Sequence, residues 1–174
     1  ALELFGITEL RDEQMEIMRA LLAGRDVVGL LPTGSGKSLT FQLPALLHPE
    51  GLPTVVVSPL VALIKDQVDE LRGRRGIRVV AGITGRTSGT ERTETMRDLA
   101  EGKTRLLYVS PERLVRDPTL RQSIARQDLG ALVVDPRPRP PAPRDQGDAI
   151  GREPLPTVAR DPAAAATRHH RPAG

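Results

Sequence analysis

Five short runs of β-branched and aliphatic residues, separated by stretches of helical periodicity, constrain this chain more than any other feature. The runs are Val27 to Leu31, Thr54 to Val57, Ile77 to Ala81, Leu106 to Val109 and Ala131 to Val134. Between them Val61, Ile64, Val68 and Leu71 fall on one helical face, and Met96 and Leu99 mark another. Met15, Met18, Leu21 and Leu22 suggest an opening helix, with Asp12 and Glu13 near its start and Gly24 just past its end. Strands alternating with helices in this way predict βαβ units, hence an α/β fold on a parallel sheet of five strands flanked by helices. Pro44 is expected to end or kink the helix that begins near Gly36.

Polar residues follow four of the five runs: Pro32 to Ser38, Ser58-Pro59, Ser110-Pro111 and Asp135. Ligands of open parallel sheets bind beyond the carboxyl ends of the strands, so four polar turns there predict one continuous site.

Composition bears on where the folded part stops. Nine of the 16 prolines fall in residues 136–174, where Ile150, Leu155 and Val158 are the only large apolar side chains. Such a stretch buries too little surface to offset its ordering entropy, so the folded region is expected over residues 1–135 and a disordered Pro/Arg/Ala-rich tail after it. The net charge of +3 belongs to that tail. Residues 1–135 hold 18 Lys/Arg and 18 Asp/Glu, and the tail holds 7 and 4, so charge alone argues little for a nucleic-acid partner. The absence of cysteine excludes disulfides and Cys-based zinc sites, and His48, His169 and His170 form no metal-ligand spacing. No run approaches the roughly 20 apolar residues of a membrane span, and no signal peptide opens the chain. A soluble, cytoplasmic protein with no membrane partner is the expectation.

Pro32-Thr33-Gly34-Ser35-Gly36-Lys37-Ser38 follows a predicted strand and opens a predicted helix, the setting a phosphate-binding loop requires. Gly34 and Gly36 let the backbone curl so that successive amides and the helix N-terminus face phosphate oxygens. Lys37 is expected to reach the β and γ phosphates of ATP, and the Ser38 hydroxyl to ligate Mg²⁺. Leu31 stands where the general pattern asks for glycine. The last run ends in Asp135, the form of the second magnesium motif of such ATPases.

On these residues the chain resembles the RecQ branch of superfamily 2 DNA helicases, over roughly residues 4–135. Phe5-Gly6-Ile7 with Leu10-Arg11 and Gln14 is similar to that family's adenine-recognition motif, which implies that Arg11 and Gln14 contact ATP. Residues 31–46 resemble the helicase version of the loop, in which the first glycine is commonly replaced. Val57-Ser58-Pro59-Leu60, continuing through Lys65-Asp66-Gln67-Val68, resembles the motif that contacts the single strand's backbone. Tyr108-Val109-Ser110-Pro111-Glu112-Arg113 looks like a further strand-contacting motif. The DEAD-box RNA helicases carry Pro-Thr-Arg-Glu-Leu where this chain has Ser-Pro-Leu, which favours DNA. The resemblance implies a RecA-like P-loop domain and ATP-dependent 3′ to 5′ unwinding. It also implies ATP and Mg²⁺ as cofactors, single-stranded or duplex DNA as partner, and a place beside the bacterial nucleoid. Strand contact through Ser58, Pro59, Leu60, Lys65, Ser110, Pro111, Glu112 and Arg113 is expected to fall on phosphates and not bases.

The resemblance stops at Asp135. The family continues Glu-Ala-His; here Pro136-Arg137-Pro138 follows. The absent glutamate is the family's general base, and the motifs of a second lobe with its arginine finger do not occur in the 174 residues. The expectation is an incomplete first lobe that holds ATP through Lys37 and Asp135 but is not catalytically competent alone. The alternatives are a non-hydrolysing ATP and single-strand binding module, or a gene-fragment product whose tail is read out of frame.

Overall fold

The computed structural model describes residues 2–32 and 34–135. The predicted disordered tail and Thr33 lie outside the described residues. After a short 3-10 turn, Leu2–Phe5, the helices and strands follow in the order α1 (Asp12–Leu22), α2 (Leu39–Leu47), β1 (Thr54–Val57), α3 (Val61–Asp69), β2 (Val80–Ile83), α4 (Gly89–Ala100), β3 (Leu106–Val109), α5 (Pro111–Arg116), α6 (Pro118–Ala125) and β4 (Ala131–Val134). A five-residue π-helical turn, Glu70–Arg74, extends α3.

Four parallel strands form the sheet among the described residues, in the order β2-β3-β1-β4. Successive side chains of a strand point to opposite faces, and the two halves of the core divide accordingly. Val56, Leu106, Tyr108 and Val80 face one way and pack with Met18 of α1, Phe41 and Leu43 of α2, and Ile64 of α3. Val55, Leu107, Val109, Ala81 and Ile83 face the other way, against Leu99 of α4 and Leu120 and Ile124 of α6. β1 and β3, covered on both faces, are apolar at nearly every position, as parallel strands buried on both sides must be.

Three expectations change. Residues 27–31 are not a strand: the segment lies outside the sheet, with Val28 90% and Leu30 92% exposed. A strand exists through its neighbour's hydrogen bonds, and no described strand pairs with 27–31. β4 has the matching deficit, since it pairs with β1 alone and leaves Leu132 62% and Val134 71% exposed. Second, the run expected at 77–81 pairs instead over Val80–Ile83. Ile77 is buried at the end of the π-helical turn, where its N–H donates to the Leu71 carbonyl at 2.8 Å. Third, α2 begins at Leu39 and not near Gly36, and it runs through Pro44 to Leu47. Residues 39–45 are all buried, so packing on every side holds the helix past the missing Pro44 amide hydrogen.

No helix among the described residues is long and apolar enough to cross a membrane.

Candidate nucleotide and strand-contact site

Parallel strands share one carboxyl edge, and that edge gathers the polar turns. Ser58 follows β1, Thr84 follows β2, Ser110 follows β3 and Asp135 follows β4. The ladder continues into them: the Ser58 N–H donates to Val109 O, the Ser110 N–H to Ile83 O, and the Asp135 N–H to Val57 O at 2.9 Å.

Residues 34–38 form a tight loop ahead of α2. Gly34 sits at φ +79° and Gly36 at φ +76°, a left-handed conformation that side chains disfavour. At Gly36 there is a second constraint, because a Cβ there would lie 2.8 Å from Gln14 Nε2. Ser35 closes the first part of the loop, donating its hydroxyl to the Pro32 carbonyl at 2.6 Å. The N–H groups of Gly36, Lys37 and Ser38 have no acceptor among the described residues, so three successive donors remain at the mouth of a helix. Oriented amides of this kind form an anion site.

Gln14 anchors the loop to α1. Its Oε1 accepts the Arg11 N–H at 3.0 Å, and its Nε2 donates to the Ser35 carbonyl at 2.8 Å and to Gly36 at 3.4 Å. Gln14 is 5% exposed, whereas Arg11 lies exposed at the start of the helix. The residue expected to read adenine thus fixes the phosphate loop here.

Lys37 and Asp135 line one cleft of about 470 Å³, whose apolar walls include Ile17, Leu31, Phe41 and Val133. Burial raises the Asp135 carboxyl above its usual range, and the charge of Lys37 pulls it partly back. Ser38, Ser58 and Asp135 also border a cavity of about 10 Å³, the space of roughly one water. Ser38 and Asp135, the residues expected from sequence to hold magnesium, thus both border this cavity. A raised folded-state pKa means that the ionised Asp135 weakens the ligand-free fold at neutral pH, an effect absent at low pH and growing as pH rises through the raised value. Asp135→Asn is accordingly expected to raise the melting temperature of the ligand-free chain at neutral pH while abolishing further stabilisation by magnesium-ATP. Thermal denaturation with and without magnesium-ATP reads both effects.

The expected strand-contact residues fall on two turns. Ser58-Pro59-Leu60 leads into α3, and Ser110-Pro111 opens α5. Their two serine hydroxyls are not at the surface: Ser58 is 2% and Ser110 1% exposed, and neither Oγ has a hydrogen-bond partner. Lys65 is exposed and paired with Asp69 one helical turn on, and that hydrogen bond raises its pKa. Arg113 Nε donates to the Thr84 carbonyl at 3.3 Å, tying the second turn to the end of β2, and Glu112 is exposed beside it.

Sequence reasoning assigned no role to a buried polar cluster between these parts. Gln42 Nε2 donates both to Gln67 Oε1 at 2.5 Å and to the Tyr108 hydroxyl oxygen at 2.8 Å. A glutamine inside the apolar run Phe41 to Leu47 was the available signal.

A RecA-like parallel sheet, a glycine-built loop ahead of α2 and an acid at the end of the last strand make up the fold of a helicase-type lobe. Residues 11–136 match the DEAD/DEAH box helicase family, and the chain belongs to it, in its RecQ-like branch. It is 47% identical over 135 residues to an "ATP-dependent DNA helicase RecQ" of Synechocystis sp., covering 76% of this chain and 27% of that protein. Over 140 residues it is 41% identical to the "ATP-dependent DNA helicase Q5" of Rattus norvegicus, covering 76% and 14% respectively. The chain thus spans about a quarter or less of these relatives' length. Among solved structures, the helicase MrfA bound to DNA and AMPPNP superposes with a TM-score of 0.62 at 24% identity, over 76% of this chain and 19% of that one. The DNA-bound form of MrfA gives a TM-score of 0.59 at 26% identity, over 71% and 18%.

Proposed function

We propose that this chain is the nucleotide-holding and strand-contacting part of a RecQ-like, ATP-dependent DNA helicase, working in the cytoplasm beside the nucleoid in DNA repair and recombination. The observation that carries the nucleotide reading is the row of unpartnered amides at 36–38 beside Lys37, Ser38 and Asp135. These residues fit magnesium-ATP: the amides and Lys37 would hold phosphate oxygens, and Ser38 and Asp135 would hold the cation. Mg²⁺ so held offsets charge on the transferring phosphoryl group. Gly34 and Ser35 shape the loop, and Arg11 and Gln14 border it from α1.

Gripping of a single strand, with 3′ to 5′ movement, is what the resemblance to RecQ helicases implies. Pro59, Leu60, Lys65, Pro111, Glu112 and Arg113 form the contact face. The hydroxyls of Ser58 and Ser110 act from beneath it, as buried groups behind the turns they open. A second reading rests on Pro136, which stands where the family places its glutamate base. By that reading residues 1–135 bind ATP and DNA and hydrolyse ATP very slowly. Contact with phosphates makes binding depend on salt and not on base sequence, with log K falling by about 0.7 per contacted phosphate for each tenfold rise in salt. Lys65→Ala and Arg113→Ala are each expected to weaken binding of a fluorescein-labelled oligothymidylate by about tenfold and to flatten that salt slope. Anisotropy titration at several salt concentrations is the measurement, and a salt-independent affinity would exclude the strand-contact face.

A further inference from the structure

Gln42, Gln67 and Tyr108 come from three elements, and each element serves a different part of the proposed site. Gln42 lies on α2, the helix opened by the phosphate loop; Gln67 lies on α3, behind the turn at Ser58; Tyr108 lies on β3, two residues before Ser110. Gln42 is 5% and Tyr108 2% exposed, so an unmade hydrogen bond in the cluster would be costly. The Gln42 amide has two hydrogens, and both are committed, one to Gln67 Oε1 and one to the Tyr108 oxygen. Since Tyr108 accepts from Gln42, its own hydroxyl hydrogen is left to turn elsewhere. The small cavity that Tyr108 and Gln67 border is the one that also holds Ser38, Ser58 and Asp135.

Burial, together with the negative charge of Asp135, keeps the Tyr108 phenol protonated well above neutral pH, although the Gln42 hydrogen bond opposes this. The Tyr108 hydroxyl hydrogen is not used by the bond from Gln42, and Asp135 borders the same cavity.

We propose that Gln42 and Tyr108 are positioning residues that couple the nucleotide site at Lys37, Ser38 and Asp135 to the two strand-contacting turns. The inference rests on the function proposed above. Tyr108 and Asp135 border the same small cavity, so a cation held by Asp135 would change the charge that the Tyr108 hydroxyl hydrogen meets there. The change passes through the shared Gln42 amide to Gln67 on α3, and along β3 to Ser110. Two arrangements of one hydrogen-bond chain, biased from one site and read at the other, are what a coupling between sites requires. Coupling of this kind is reciprocal and typically changes affinity by about 5–150-fold.

The test measures the affinity of the chain for a fluorescein-labelled oligothymidylate with and without magnesium and AMPPNP. In the unmodified chain the two values should differ by at least about fivefold. Tyr108→Phe removes one oxygen and keeps the ring; it should leave the nucleotide-free affinity within about twofold and bring the ratio below about twofold. Gln42→Leu, which keeps the volume but loses both donors, should abolish the ratio as well. Melting temperatures separate packing from coupling: a Tyr108→Phe chain that is less stable but keeps its ratio overturns the relay. An unmodified chain that binds both ligands with no difference between the two affinities also overturns the relay, while the proposed function stands. An unmodified chain that binds neither ligand overturns both.

Discussion

Lys37→Ala is expected to remove nearly all of the stabilisation that magnesium-ATP would give this chain under the proposed function. Lys37 lies just ahead of α2, in a row of three amides that have no acceptor among the described residues, and lines one cleft with Asp135. An ammonium donating to phosphate oxygens makes charge-assisted bonds worth about 1.5–3 kcal/mol each, so two of them amount to roughly a hundredfold or more in affinity. Mass action turns this into a thermal signal. At a ligand concentration of about 100 Kd a bound nucleotide stabilises the folded state by about 2.7 kcal/mol, and a hundredfold weaker site leaves about 0.4 kcal/mol. For a domain of this size that is a fall from a shift of about 8 °C to one of about 1 °C. A Lys37→Ala chain that keeps the full shift places the nucleotide elsewhere.

The second large effect is a gain. Pro136→Glu restores an acid directly after Asp135, at the position where RecQ-like relatives carry the residue that deprotonates attacking water. A positioned base contributes about 10²–10⁴-fold, and the lower end of that range is the expectation here. Phosphate release in the presence of oligothymidylate should therefore rise by about a hundredfold over the unmodified chain. The double variant with Lys37→Ala should lose that gain, which excludes a contaminating ATPase. Unchanged turnover in Pro136→Glu contradicts the assignment of Asp135 as the first acid of the magnesium motif.

Local pattern announced the layers of this fold well and its hydrogen-bonded partners poorly. Val55, Val56, Leu106 and Leu107 are apolar because both sheet faces are covered, and a run of such residues is visible without coordinates. Val27 to Leu31 looks the same on paper yet forms no strand, since a strand is a property of a pair and this segment has no partner among the described residues. The β2 boundary slipped for a different reason. Gly82 reads as a break in a strand pattern, but in the structure it is where α3 approaches closely: a Cβ there would lie 3.1 Å from Ile64 and 3.3 Å from Val68.

The site divides along the same line. Gly34, Gly36, Lys37 and Ser38 were legible because a phosphate loop is a local device, written in consecutive residues. Gln14 was legible as a site residue, but its hold on Ser35 and Gly36 was not. The Gln42 to Tyr108 bond joins residues 66 positions apart, and nothing local marks it. The burial of the Ser58 and Ser110 hydroxyls likewise depends on neighbours distant in sequence, which only the assembled sheet brings together.

The amide cradle at 36–38 is the claim on which the rest stands, and amide chemical shifts of the isotope-labelled chain during a magnesium-ATP titration test it most directly. The resonances of Gly36, Lys37 and Ser38 should move together and saturate at one stoichiometric equivalent. Saturable binding that leaves those three unmoved, or a titration that moves nothing, contradicts the account.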